Sequence, residues 1–157
     1  SGQHIAHTES ATLLHELEGY LAIIGKPALS DVQKATFLTG AYCVKVRAKT
    51  MGELFEKSAF MFDDRPLNLE KEAKLSLDLV SIGILNELTP QLQNVIWKRE
   101  ALETLVGHIA QAHETKMGNL AGPLRAALSG RIASPSVFDM MLVLGRNETI
   151  ARLNDIS

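Results

Sequence analysis

At 157 residues, 46% of them hydrophobic, the chain has enough apolar material for one domain or two small subdomains, each with a core. Sixteen basic against eighteen acidic residues give a formal net charge of −2, which excludes a generally basic nucleic-acid binder but not a locally basic one. A single cysteine, Cys43, excludes an internal disulfide and suits a reducing compartment, while no apolar run reaches membrane-spanning length and no signal peptide is visible.

Ser1-Gly2 has the character of a tag remnant. Thr8 or Ser10 is placed to cap a first helix carrying Leu13, Leu14, Leu17, Tyr20 and Leu21. It ends near Gly25, because Pro27 bars continuation. Ser30-Asp31-Val32-Gln33 has the form of a capping box, and the helix behind it offers Val32, Phe37, Leu38, Ala41 and Tyr42 as its core side. Thr50-Met51-Gly52-Glu53 is a second box, opening a helix with Leu54, Phe55, Ala59 and Phe62. Arg47 falls at the break between these helices, where the helix dipole alone favours a cation.

Asp63-Asp64-Arg65-Pro66-Leu67-Asn68 is the best linker, and it divides a subdomain 1–68 from a subdomain 69–157. Over 69–88, Leu75, Leu77 and Leu79 alternate as in a strand, whereas the lack of proline and the Glu70–Lys74 spacing speak for helix. Gly83 weakens a helix interior there by about 1 kcal/mol relative to Ala. Thr89-Pro90 breaks the chain again. Residues 97–114 read as a long helix burying Leu102, Leu105, Val106 and Ile109. The next apolar stripe is Leu120, Leu124, Ala127 and Leu128, stopped at Ser129-Gly130 because glycine accepts the left-handed backbone of a C-cap. Ser134-Pro135 opens another helix, with Ser as N-cap and Pro in the first turn, ahead of Phe138, Met141, Leu142 and Leu144. Asn147 caps a last helix through Ile150, Leu153 and Ile156. The expected fold is all-α, as two small helical subdomains.

Charge is distributed unevenly. Positions 32–52 hold Lys34, Lys45, Arg47 and Lys49 and no carboxylate; positions 115–138 hold Lys116, Arg125 and Arg131 and again none. The rest of the chain carries nine basic against eighteen acidic residues, so these two segments, brought together, would form one electropositive patch on an acidic protein. The corner between Gly130 and Ser134 would also offer backbone N–H groups at a helix start to phosphates or base edges. Catalytic or metal chemistry finds no constellation: His108 and His113 are five apart and so share no helix face, Cys43 lies in an apolar stretch as an inert thiol would, and zinc ligation has no support.

Lys116-Met117-Gly118, Pro123-Leu124-Arg125, Ala127-Leu128-Ser129-Gly130, Ser134-Pro135, Phe138 and Leu144-Gly145 follow one another in the order K-L/M-G, P-L-R-x-A-L-T/S-G, S/T-P-x-x-F, L-G. This stretch, 116–145, resembles the C-terminal anticodon-binding region of bacterial glutamyl-tRNA synthetases, and the remainder from Gln3 onward resembles it more loosely. The resemblance implies a helical reading of 69–88 and a helical anticodon-binding cage. It implies the tRNA(Glu) anticodon loop as partner, a cytoplasmic setting, a monomer, and no membrane or DNA partner. It also implies that the chain is a piece of a longer glutamate–tRNA ligase. ATP, Mg and glutamate chemistry would lie in an upstream domain, leaving no catalytic residue, metal or cofactor here. Lys116-Met117-Gly118 and His4-Ile5-Ala6-His7 only superficially resemble that family's KMSKS and HIGH signatures.

Carried over residue by residue, Arg47 matches the arginine that reads the third anticodon base in discriminating members, favouring C over G. A guanidinium fork suits pyrimidine acceptors and conflicts with a purine's edge and size. Ser134, Pro135 and Val137 match a T-P-x-L turn against the other anticodon bases; the hydroxyl is kept and the apolar contact is smaller. Lys45, Lys49, Arg125 and Arg131 are candidates for phosphate contacts, and equally for solvated helix-face charges or C-cap partners. Trp97, Tyr20, Tyr42 and the five Phe could stack on bases, but most lie on apolar stripes that suit core packing. A helical protein–protein module without RNA binding is the alternative.

Overall fold

The computed structural model describes residues 2–156, so Ser1 of the expected tag remnant lies outside them. Those residues are all-helical with no strand, and they form two compact units, Ser1–Asp63 and Asp64–Ser157.

In the first unit, α1 (Gly2–His7) drops Ile5 into the core ahead of α2 (Ser10–Ile23), which buries Leu13, Leu14, Leu17 and Leu21. Gly25, at φ +79°, turns the chain out of that helix. α3 (Asp31–Lys45) opens on the expected capping box. Ser30 Oγ accepts from Gln33 N at 3.1 Å, and Gln33 Oε1 accepts from Ser30 N at 2.8 Å. Gln33 Nε2 also donates to Phe62 O at 3.0 Å, tying the helix start to the far end of the unit. Ser30→Ala is therefore expected to lower the stability of the first unit by about 1 kcal/mol in a urea titration followed by helix circular dichroism. α4 (Met51–Ser58) runs into a 3-10 turn at Ala59–Met61.

The buried side of α3 is not the expected one. Phe37, Gly40, Ala41, Cys43 and Val44 face inward, while Val32, Leu38 and Tyr42 are exposed. Two apolar stripes run side by side on this helix. The one carrying Gly40 and Ala41 faces inward, where α3 packs on α2 and α4. Cys43 is buried, its thiol donating to Gly40 O.

In the second unit, α8 (Met117–Ser129) and α9 (Val137–Ile156) pair at the centre, with α5 (Lys71–Ser76), α6 (Leu79–Gln91) and α7 (Arg99–Ala112) against them. Residues 64–68, expected in the first subdomain, pack here. Arg65 forms a two-pronged pair with Asp155 (2.9 and 3.1 Å), and Glu70 N donates to Gly130 O at 2.9 Å. The helix read over 69–88 is broken at Leu77-Asp78. Asp78 caps α6 by accepting from Ser81 N at 2.8 Å, and that backbone hydrogen bond holds its carboxyl below the usual range. Pro90 does not stop α6, which runs one residue further; proline forgoes one backbone hydrogen bond in this last turn, and buried Thr89 before it donates to Leu85 O at 2.7 Å. α7 starts at Arg99, leaving Trp97 outside the helix to donate its indole N–H to Met141 O at 3.0 Å. The expected stop of α8 is found, with Gly130 at φ +73°. α9 consists of two helical stretches that meet at Gly145 (φ 81°, ψ 169°), two residues before the expected cap at Asn147.

Candidate nucleic-acid interface

The two groups of candidate residues fall in different units, and each has its own geometry. In the first unit, Arg47 sits in the short link between α3 and α4. Its backbone N–H closes on Val44 O at 3.4 Å, and Ala48 beside it is 1% exposed, pinning the link to the core. Thr50 Oγ1 accepts from Glu53 N at 3.1 Å, capping α4. The expected second box is only half formed, because Glu53 turns its carboxylate to Lys49 N at 2.9 Å rather than to Thr50. A buried Ala48 flanked by fixed backbone leaves Arg47 and Lys49 exposed, and neither side chain meets a hydrogen-bond or ion-pair partner among the described residues. Lys45 differs: its Nζ donates to Thr8 O at 3.2 Å and serves the fold. Lys34 likewise pairs with Glu18 at 3.4 Å.

In the second unit the corner from Gly130 to Val137 is tightly tied. Ser129 Oγ donates to Arg125 O at 2.7 Å and accepts from Arg131 N at 3.1 Å. Arg131 Nη1 donates back to Ser129 O at 3.0 Å, and its Nε lies 3.9 Å from Glu70. The reading of Arg131 as a C-cap partner is the one its geometry matches. Ser134 Oγ donates to Pro135 O at 3.0 Å, and Pro135 is buried. Neither residue begins the helix. α9 starts at Val137 with Ser136 ahead of it, because Ser136 supplies both the carbonyl for Met140 N (3.0 Å) and the hydroxyl for Phe138 N (3.3 Å). The free N–H groups expected at this start are thus partly spoken for, and Asp139 in the first turn, ion-paired with Arg99, already answers the helix dipole.

Val137 is 5% exposed and turns inward, into a cleft of about 160 Å³. Met117, Gly118, Leu124, Arg125 and Ser136 line the same cleft. The fold therefore brings Arg125 and Val137 together, and sets Arg131 with Ser134 in the turn beside them. Arg125 is half-buried and its guanidinium has no hydrogen-bond or ion-pair partner among the described residues. Sequence reasoning missed the outward face of α3, where Tyr42 is 49% exposed rather than packed in the core. Among the described residues, no group of three or more His, Cys, Asp or Glu gathers as a metal site would, and no helix is long and apolar enough to cross a membrane.

A family model described as an anticodon binding domain matches residues 11–157. The chain belongs to this anticodon binding domain family. Its relatives include glutamate–tRNA ligase 2 of Ruegeria pomeroyi, 56% identical over 99% of this chain and 33% of that protein. Another is glutamate–tRNA ligase 2 of Roseobacter denitrificans, 54% identical over 98% of this chain and again 33% of that protein. The chain thus spans about a third of the length of the curated relatives it matches. The crystal structure of a glutamate tRNA ligase from Elizabethkingia meningosepticum superposes with a TM-score of 0.77 at 26% identity, over 99% of this chain and 30% of that one. The glutamate–tRNA synthetase of Elizabethkingia anophelis does so at 0.72, also at 26% identity. The resemblance read from residues 116–145 and the all-α expectation are both borne out: the chain is an anticodon binding domain, similar along its length to about a third of each of these glutamate–tRNA ligases.

Proposed function

We propose that this anticodon binding domain grips the anticodon loop of tRNA(Glu), as part of a longer, monomeric, cytoplasmic glutamate–tRNA ligase. ATP, Mg and the glutamylation step belong to other parts of that protein. The role of this piece is positioning: it holds the loop so that only the matching tRNA presents its far end to the chemistry. The observation that carries the reading is the family match across 11–157, together with relatives that bear the ligase name.

Within it, Arg47 reads the third anticodon base. An exposed, unpaired guanidinium on a pinned link is preorganised to donate to a pyrimidine carbonyl and ring nitrogen, and a guanine in that place would set donors against donors. Ser134 and Pro135 meet the other anticodon bases through the corner's hydroxyl and carbonyl groups, and Val137 shapes the wall behind them. Lys49 and Arg125 are the better placed phosphate contacts. Lys45 and Arg131 would first have to leave Thr8 O and Ser129 O.

The test is Arg47→Gln, assayed by gel shift against RNA hairpins carrying C or G as the third anticodon base. Wild type is expected to favour C by roughly tenfold, on the order of 1–2 kcal/mol, and the variant to lose most of that preference. Equal selectivity in the two proteins would remove Arg47 from the role. A helical protein-interaction module would show no salt-dependent affinity for either hairpin.

A further inference from the structure

α3 carries two apolar stripes, and the fold buries one. On the other, Leu38, Tyr42 and Val46 recur every four residues and are 44%, 49% and 64% exposed. Ala35 and Thr39 lie on the same side, Asp31 enters this face only at the helix start, and Lys34 and Lys45 flank it. Arg47 follows Val46 directly and Lys49 lies two further on, both exposed. No carboxylate occurs between Asp31 and Glu53, and Glu53 is held on the Lys49 backbone. An apolar stripe with an aromatic ring, running into cations with no acid beyond its first residue, complements a polyanion that has unstacked bases.

We propose that this outward face of α3 is a base-stacking platform. The Tyr42 ring takes one unpaired base of an RNA loop on its face, Leu38 and Val46 close the two sides of that base, and the cations beyond Val46 hold the neighbouring phosphates. The proposal rests on the RNA-binding reading above and extends it from the hydrogen-bonding Arg47 to an aromatic contact. Hairpin loops leave bases splayed, and every base has a π-face, so this contact supplies affinity with little sequence preference while Arg47 supplies the choice.

The experiment uses the 157-residue chain and an RNA hairpin bearing the tRNA(Glu) anticodon loop, with 2-aminopurine placed at one loop position at a time. Tyr42→Ala is expected to weaken binding about tenfold at every salt concentration, with an unchanged slope of log affinity on log salt. It should also abolish the fluorescence change at one loop position. Tyr42→Phe, which keeps the ring, is expected to restore both. Lys49→Ala should instead flatten the slope. Circular dichroism melts confirm that the half-exposed position leaves the fold intact. Should wild type bind while Tyr42→Ala and Leu38→Ser bind equally well, the platform is wrong and the RNA-binding reading stands. Should wild type show no affinity for the hairpin, both fall. A concentration-dependent dimer in sedimentation that Tyr42→Ala dissolves would make this face a self-association surface and overturn the platform.

Discussion

Gly130→Ala is expected to cost the second unit about 3 kcal/mol, read as a lowered urea midpoint with an unchanged slope. Two terms add. The residue sits at φ +73°, where an L side chain is disfavoured by about 1–2 kcal/mol. A Cβ there would stand 2.6 Å from Asn68 O, which is backbone and cannot rotate away. Relief would require residues 67–70 to retreat, breaking the Glu70 N to Gly130 O bond that seats the lead-in strand of chain on the corner. The same variant should weaken RNA binding through the displaced Ser134–Pro135 turn. A Gly130→Ala protein as stable as wild type would mean that the corner is not held at this backbone geometry.

Arg152→Ala is expected to be of similar size, about 3 kcal/mol in the same titration. Arg152 is 3% exposed; its Nη1 donates to Leu128 O at 2.6 Å and its Nε to Glu148 at 3.1 Å. Leu128 O belongs to the last turn of α8, whose carbonyls have no partner within the helix, so truncation strands a buried acceptor and opens a void together. Glu148 is partly exposed and can turn to water, so the stranded carbonyl is the larger loss. Arg152→Met separates the terms: it refills the space without a donor, and about 2 kcal/mol of the loss should remain. Full recovery in the methionine variant would assign the residue to packing alone.

Ends of helices were legible in the sequence wherever a side chain or a glycine fixes them. Ser30 with Gln33 and Gly130 act as expected, because capping is local chemistry between residues a few positions apart. Ser134-Pro135 misled because Ser136, two residues on, is an equally good cap, and it is Ser136 that bonds Phe138 N and Met140 N. The buried face of α3 was not legible. Periodicity cannot choose between neighbouring apolar stripes, and the choice is made by the packing of α3 on α2 and α4. The break at Asp78 hid inside a leucine-rich run: the alternation of Leu75, Leu77 and Leu79 says nothing of where a helix stops, and Leu75 and Leu79 are exposed on either side of the Asp78 cap. Among the candidate contacts, Arg47 and Lys49 lie exposed. What Lys45 and Arg131 do depends on carbonyls of Thr8 and Ser129, whose positions only the folded chain supplies.

α9 has one more consequence. Arg146 donates to Leu92 O, the C-cap of α6, and lies 5.0 Å over the Trp97 ring, while Arg152 reaches the end of α8. One helix therefore adds donors to the carboxyl ends of two others, reaching the Leu128 carbonyl that the local Ser129 and Arg131 bonds at the end of α8 leave open. The second unit should accordingly lack partial openings at the corner. Amide hydrogens of α6, α8 and α9 would exchange together through a single global event, which keeps the Ser134 turn rigid at the cost of any graded, local breathing.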